Sequence, residues 1–191
     1  MASIKGTKTE QNLLKAFAGE SQARNRYTYA ASVAKKEGYV QIANIFLETA
    51  ENEKEHAKRF FKFLGGGAVE ITAMYPAGTI DTTIGNLKMA AAGENEEHTI
   101  LYPEFAQVAE EEGFLEVAAC FKMIAAVELE HEARYNKLIA NIENGEVFKR
   151  SNTSRWKCSN CGFVHEGEEA PQLCAACIHD QKYFELKETN Y

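Results

Sequence analysis

Along the first two-thirds of the chain, apolar residues recur at the three-to-four-residue spacing of helices with one buried stripe. From Thr9 to about Lys36 the stripe reads Leu13, Phe17, Ala23, Tyr27 and Ala30, without a proline and with Gly19 as its one glycine. "EGY" at 37–39 interrupts it, and a second stripe runs to about Leu64, where "GGG" at 65–67 stops a helix cleanly. An irregular stretch with Pro76 and Gly78 follows, and a third helix is predicted from Asp81 or Thr82 to Glu112. Pro103 inside it removes a backbone donor and predicts a kink or an opened turn. "EGF" at 112–114 repeats the break, and a fourth helix runs to about Asn144. Two tight breaks and one crossover of roughly 15 residues predict an all-α four-helix bundle with a long crossover connection. Beyond "NGEVFKRSNTSR" the pattern changes, and residues 156–191 are aromatic and cysteine-bearing. The expected division is a helical domain over 1–146 and a small C-terminal module over 153–191.

The helical part repeats itself. "AGE" at 18–20 recurs at 92–94, and "EGYVQIANIFLETAENEKEH" (37–56) matches "EGFLEVAACFKMIAAVELEH" (112–131). Each half is a hairpin with one glutamate in its first helix, Glu20 or Glu94. Each carries Glu-x-x-His in its second, Glu53 with His56 or Glu128 with His131.

Asp81 and Asp180 are the only aspartates among 28 acidic residues, a bias that helix propensity explains for most of the glutamates. It does not explain which face they occupy. Neighbours at ±3, ±4 and ±7 share a helical face. Around Glu53 these are Phe46, Ala50, Ala57 and Phe60, and around Glu128 they are Phe121, Ile124, Ala125 and Tyr135. Glu20 sits among Leu13, Ala16, Phe17, Ala23 and Tyr27, and Glu94 among Leu87, Ala90, Ala91 and Leu101. Glu55 is a control: its face holds Glu48, Glu51, Lys58, Arg59 and Lys62, a solvated surface. Four glutamates therefore lie on buried stripes, one per helix, and Glu97 projects from the same stripe as Glu94. Buried ionised carboxylates cost several kcal/mol each unless paired or metal-bound. Arg24 is the one cation on these faces, so a metal is the natural counter-charge, against the plainer reading of carboxylates satisfied by Tyr and Arg alone. A carboxylate-rich set with one imidazole per metal suits iron or manganese, and one Glu from each of two helices plus two Glu-x-x-His pairs is the pattern of di-metal helical bundles.

A net charge of −7 argues against nucleic acid, whose phosphates need clustered Lys and Arg. No apolar run reaches the ~20 residues of a membrane span, and "MASIKGTKTE" has no signal-peptide core, so a cytoplasmic protein with no membrane contact is expected. "CSNC" (158–161) and "CAAC" (174–177) offer Cys158, Cys161, Cys174 and Cys177 as a tetrathiolate. The spacing leaves zinc and iron open; a redox-capable di-metal bundle on the same chain favours iron. Gly162 permits a tight turn after the first pair, where the second has Ile178. Cys120 reads as a small core residue, and His98, His165 and His179 lack the paired context.

"AFAGESQARNRY", "ETAENEKEHAKR", "AAGENEEHT", "LYPEFA", "ELEHE" and "CSNCGFVHEG", in this order, resemble the rubrerythrins over nearly the whole chain. The resemblance implies a ferritin-like di-iron bundle with a rubredoxin-like module and three iron ions per chain. It implies a non-haem di-iron peroxidase reducing hydrogen peroxide to water in oxidative stress defence. Electrons would come from an external donor, a rubredoxin or NAD(P)H-linked reductase, through the Fe(Cys)4 site. The absence of a dinucleotide fingerprint agrees with external electrons. By the same resemblance Glu53 and Glu128 bridge the irons, Glu20 binds one, and Glu94 with His131 the other. Glu97 and His56 exchange on one iron, while Tyr27 and Tyr102 hydrogen-bond the carboxylates; these four are the expected catalytic residues. A homodimer placing a partner's module near each di-iron site is implied too. "CAAC", where many rubredoxin-type knuckles read Cys-Pro, bears on the reduction potential. Two other readings fit parts of the chain: a ferroxidase or iron-handling protein, and a non-enzymatic zinc-ribbon interaction protein.

Overall fold

A computed structural model describes residues 3–189. Thr7 caps the first helix, α1 (Lys8–Lys36), by accepting a hydrogen bond from the Glu10 N–H. The second, α2 (Val40–Phe63), packs against it as an antiparallel hairpin. The second hairpin pairs a composite column with α5 (Leu115–Glu143). That column comprises α3 (Thr83–Glu96), a π-helical turn (Glu97–Leu101) and α4 (Tyr102–Glu111).

The repeat seen in sequence is also a repeat of turn geometry. Gly38 (φ 90°) and Gly113 (φ 82°) both adopt the left-handed conformation. The next residues, Tyr39 and Phe114, donate back to the Ala34 and Ala109 carbonyls at 2.8 and 2.7 Å. This pattern closes a helix end by satisfying its last carbonyls.

The opened turn lies upstream of Pro103 rather than on it. Without an N–H, Pro103 leaves the Thr99 carbonyl unserved by the usual i→i−4 ladder. The backbone relaxes into the wider spiral one turn earlier, and the Tyr102 N–H reaches the Glu97 carbonyl. π turns of this kind are frequent at functional sites, and this one begins at Glu97.

Two apolar clusters fill the bundle. One contains Tyr27, Ile42, Phe46, Leu87 and Tyr135; the other contains Leu13, Phe60, Tyr102, Phe121 and Ile124. Between them, small residues (Ala16 and Ala23 on α1, Ala50 and Ala57 on α2) bracket Glu20 and Glu53 and let the helices approach closely. The crossover runs over the α1–α3 side, where the Tyr75 hydroxyl donates to the Lys15 carbonyl at 2.8 Å.

The C-terminal module is a three-stranded antiparallel sheet, β1 (Lys149–Cys158), β2 (Val164–Glu169) and β3 (Phe184–Leu186), in the order β2-β1-β3. β1 opens at Lys149, four residues ahead of the boundary expected at 153. Trp156, Phe184 and Ala170 form the core, and the Trp156 indole donates to the Gly167 carbonyl at 3.0 Å. The module meets the bundle at the α1–α2 turn, where the Tyr39 and Phe148 rings stack with centroids 6.4 Å apart. No helix among the described residues is long and apolar enough to cross a membrane.

Candidate metal centres

The stripe glutamates converge between the two apolar clusters. Glu20, Glu94 and Glu128 are fully buried, and Glu53 nearly so. Two four-residue groups have ligand atoms close enough to share an ion: Glu20, Glu53, His56 and Glu128, and Glu53, Glu94, Glu128 and His131. Glu53 and Glu128 belong to both, and their oxygens divide accordingly. His56 Nδ1 lies 2.9 Å from Glu53 Oε2 and 2.9 Å from Glu128 Oε1. His131 Nδ1 lies 3.2 Å from Glu53 Oε1 and 2.8 Å from Glu128 Oε2. Each carboxylate thus turns one oxygen to each half, the arrangement of a bridging ligand. Glu20 Oε1 and Glu94 Oε1 stand 3.8 Å from His56 Nδ1 and His131 Nδ1 as the terminal groups.

The tyrosines close this shell. The Tyr27 hydroxyl donates to Glu94 Oε1 at 2.6 Å, and the Tyr102 hydroxyl to Glu20 Oε1 at 2.5 Å. Burial, then the neighbouring carboxylate, raises both phenols well above their ordinary range, so they remain O–H donors.

Burial raises Glu20 well above the usual carboxylate range, reinforced by Glu97 and Glu53; burial raises Glu94 likewise, reinforced by Glu53 and Glu128. Burial also pushes Glu53 upward, but the adjacent His131 and His56 imidazoles override it and hold the group at about 2. Burial disfavours the charged imidazoles, yet Glu128 and Glu53 lift His56 to about 10 and His131 to about 9.

The donor set fits two metal ions. Glu20 Oε2, Glu94 Oε2, Glu53 Oε1, both oxygens of Glu128 and His131 Nδ1 are buried without a well-formed hydrogen bond. Such orphaned acceptors are costly in a protein interior, and a cation answers all of them.

Glu97 stands outside both groups. It is half-buried on the π turn, and a Cβ built on Gly19 would lie 4.0 Å from its Oε1. Arg24, the cation counted on the stripe, turns outward to Glu51 at 3.6 Å. Two residues escape the periodicity argument. Asn52 Oδ1 lies 3.3 Å from His131 Nε2, a contact that leaves Nδ1 for a metal. Arg26 acts electrostatically on Glu97. Neither lies on a buried stripe, so spacing gives no signal for them. His98, which lacks the Glu-x-x-His context, is partly exposed and pairs with Glu132 at 2.6 Å.

The four cysteines also meet. Cys158 and Cys177 Sγ are 3.8 Å apart, and Cys161 and Cys174 Sγ are 3.6 Å apart. The knuckles fold alike despite their sequences: the Gly162 N–H donates to the Cys158 carbonyl at 2.8 Å, and the Ile178 N–H to the Cys174 carbonyl at 2.9 Å. Ile178 (φ 58°) is the one non-glycine with positive φ among the described residues, a strain of about 1–2 kcal/mol. Cys120 is half-buried, packed against the cluster that contains Leu13, Phe60 and Phe121, and takes no part in this group.

Residues 11–139 match the family model described as "Rubrerythrin", and 156–185 the model described as "Rubrerythrin, rubredoxin-like domain". Rubrerythrin from Porphyromonas gingivalis is 65% identical, the match covering 99% of this chain and 94% of that one. Rubrerythrin from Nitratidesulfovibrio vulgaris is 54% identical across the full length of both. A solved mixed-valence nigerythrin is 27% identical, with a TM-score of 0.63 over 96% of this chain and 91% of that one. The fold is therefore a ferritin-like bundle carrying a rubredoxin-like module.

Proposed function

Because the chain belongs to the rubrerythrin family, we propose that it is a non-haem di-iron peroxidase reducing hydrogen peroxide to water. Its three irons per chain would be a carboxylate pair in the bundle and one Fe(Cys)4 in the module. The observation that carries this reading is the split of Glu53 and Glu128, each turning one oxygen to each histidine, on a chain that also holds a tetrathiolate. A storage or ferroxidase bundle alone has no use for the second site.

When bound, the iron pair supplies two electrons and stabilises charge on both peroxide oxygens as the bond breaks. Glu53 and Glu128 would each offer one oxygen to each of the two metal positions. Glu20 and the Glu94–His131 pair close the outer positions, and Tyr102 and Tyr27 fix the angle of Glu20 and Glu94 by their hydroxyls. His56 and Glu97 compete for one position, one neutral and one anionic. Reduction consumes two protons and two electrons per peroxide and yields two waters.

The four cysteines would hold the iron through which electrons enter from an external donor, a rubredoxin or NAD(P)H-linked reductase. Within one chain the route is long. The module docks at Tyr39, and Glu53 lies fourteen residues down α2, about 21 Å at 1.5 Å per residue. A homodimer in which a partner's module approaches each carboxylate pair shortens it. Cytoplasmic residence suits the reduced thiols.

The relay is tested by Cys174→Ser. The variant is expected to lose the red tetrathiolate absorption and at least about tenfold in steady-state turnover, while two irons remain in the bundle. Loss of all iron in this variant would show the two sites to be interdependent and refute the relay as drawn.

A further inference from the structure

The internal repeat breaks along the seam where α2 meets α5. Glu48, Thr49 and Asn52 lie within about one turn of α2, and α5 answers them with Arg134 and His131. The Arg134 guanidinium donates to Glu48 Oε1 at 2.7 Å and to Thr49 Oγ1 at 2.6 Å. One turn along, His131 Nε2 lies 3.3 Å from Asn52 Oδ1. An amide oxygen only accepts, so this contact requires the proton on Nε2 and leaves Nδ1 turned to Glu53 and Glu128.

The other half lacks this lacing. Arg59 and His56 stand where the repeat has Arg134 and His131, but Met123, Ile124 and Val127 replace Glu48, Thr49 and Asn52. Ile124 and Val127 cannot accept a hydrogen bond, and the Met123 thioether accepts only weakly. Arg59 turns instead to Glu116 at 2.9 Å. His56, Arg59, Met123 and Ile124 line a surface groove where the first half has polar bonds. No hydrogen bond among the described residues reaches His56 Nε2, and its contacts all run through Nδ1. Glu53 and Glu128 thus treat the two imidazoles alike on one side, and the protein treats them differently on the other.

We propose that Asn52 is a positioning residue that holds His131 at its metal position through Nε2, and that the apolar strip on α5 leaves His56 untied. This role rests on the two-metal reading of the bundle and supplies a cause for inequality between the two positions. An imidazole anchored through its far nitrogen keeps its ring angle when the charge in front of it changes. An imidazole without that anchor is free to leave.

The test compares the native protein with three variants. Asn52→Val copies the residue of the other half, Asn52→Asp keeps an acceptor oxygen, and Val127→Asn offers His56 the acceptor that His131 has. Metal-stripped full-length protein is titrated anaerobically with ferrous iron, and Mössbauer spectra separate the bundle irons from the tetrathiolate iron. Asn52→Val is expected to weaken one bundle iron roughly 10–100-fold, the usual cost of losing such a partner, and to leave the other two sites unchanged. Asn52→Asp should bind both bundle irons at least as tightly as the native protein. Val127→Asn should tighten the other bundle iron. Native affinities in Asn52→Val, or an equal loss in Asn52→Asp, overturn the role of Asn52. A Val127→Asn protein that binds as the native one does overturns the untied His56. A native bundle that takes up fewer than two ferrous ions removes the two-metal reading itself, and this assignment with it.

Discussion

Glu53→Ala is expected to empty the bundle of both irons, leaving about one iron per chain, in the tetrathiolate. Glu53 faces His56 with one oxygen and His131 with the other, so its truncation strikes both metal positions at once. It also leaves two imidazoles without the partner that Glu53 provides, in a region too buried for water to replace it. Peroxide turnover should fall at least about 100-fold, since losing a second-shell partner alone costs 10–100-fold. Glu97→Ala is the comparison. Glu97 stands outside both four-residue groups, so its loss should slow turnover while most of the iron stays. Iron analysis with Mössbauer spectra on the two variants separates these outcomes. Two irons retained in the Glu53→Ala bundle would remove the bridging role.

His56→Ala should keep both ferric ions yet bind one ferrous ion roughly 10–100-fold more weakly, and reduce peroxide more slowly. The reason is charge. Five carboxylates leave two ferric ions with residual positive charge, but they overbalance two ferrous ions. Reduction therefore favours exchanging an anionic ligand for a neutral imidazole. His56 already lies in the group with Glu20, while Glu97 stands outside it on the π turn. Ferrous titration of the variant measures the weakened site. Identical ligation of both irons in oxidised and reduced native protein would leave His56 a fixed ligand and end the exchange.

Much of this was legible from spacing. Glu20, Glu53, Glu94 and Glu128 stood out because each interrupts an apolar stripe, and stripes are what helices bury; the contrast with Glu55 depended on nothing else. Less legible were features set by backbone detail or long side chains. Pro103 predicted an opened turn, but where a helix relaxes depends on its packing, and the strain moved one turn upstream to Glu97. Arg26 and Asn52 reach the site from outside the stripe, so periodicity is silent about them. Ile178 differs from Gly162, yet it takes the same left-handed turn, because the tetrathiolate knuckle fixes the backbone more strongly than a β-branched side chain resists it.

On this reading the reduced bundle delivers its electrons to peroxide. Anaerobic stopped-flow mixing of fully reduced, iron-loaded protein with one equivalent of hydrogen peroxide tests it directly. The carboxylate iron pair is expected to oxidise first, two electrons per peroxide, followed by growth of the red Fe(Cys)4 absorption as more peroxide is added. An iron pair that stays reduced in peroxide while dioxygen oxidises it readily would rule out peroxide reduction and identify an iron-oxidising bundle instead.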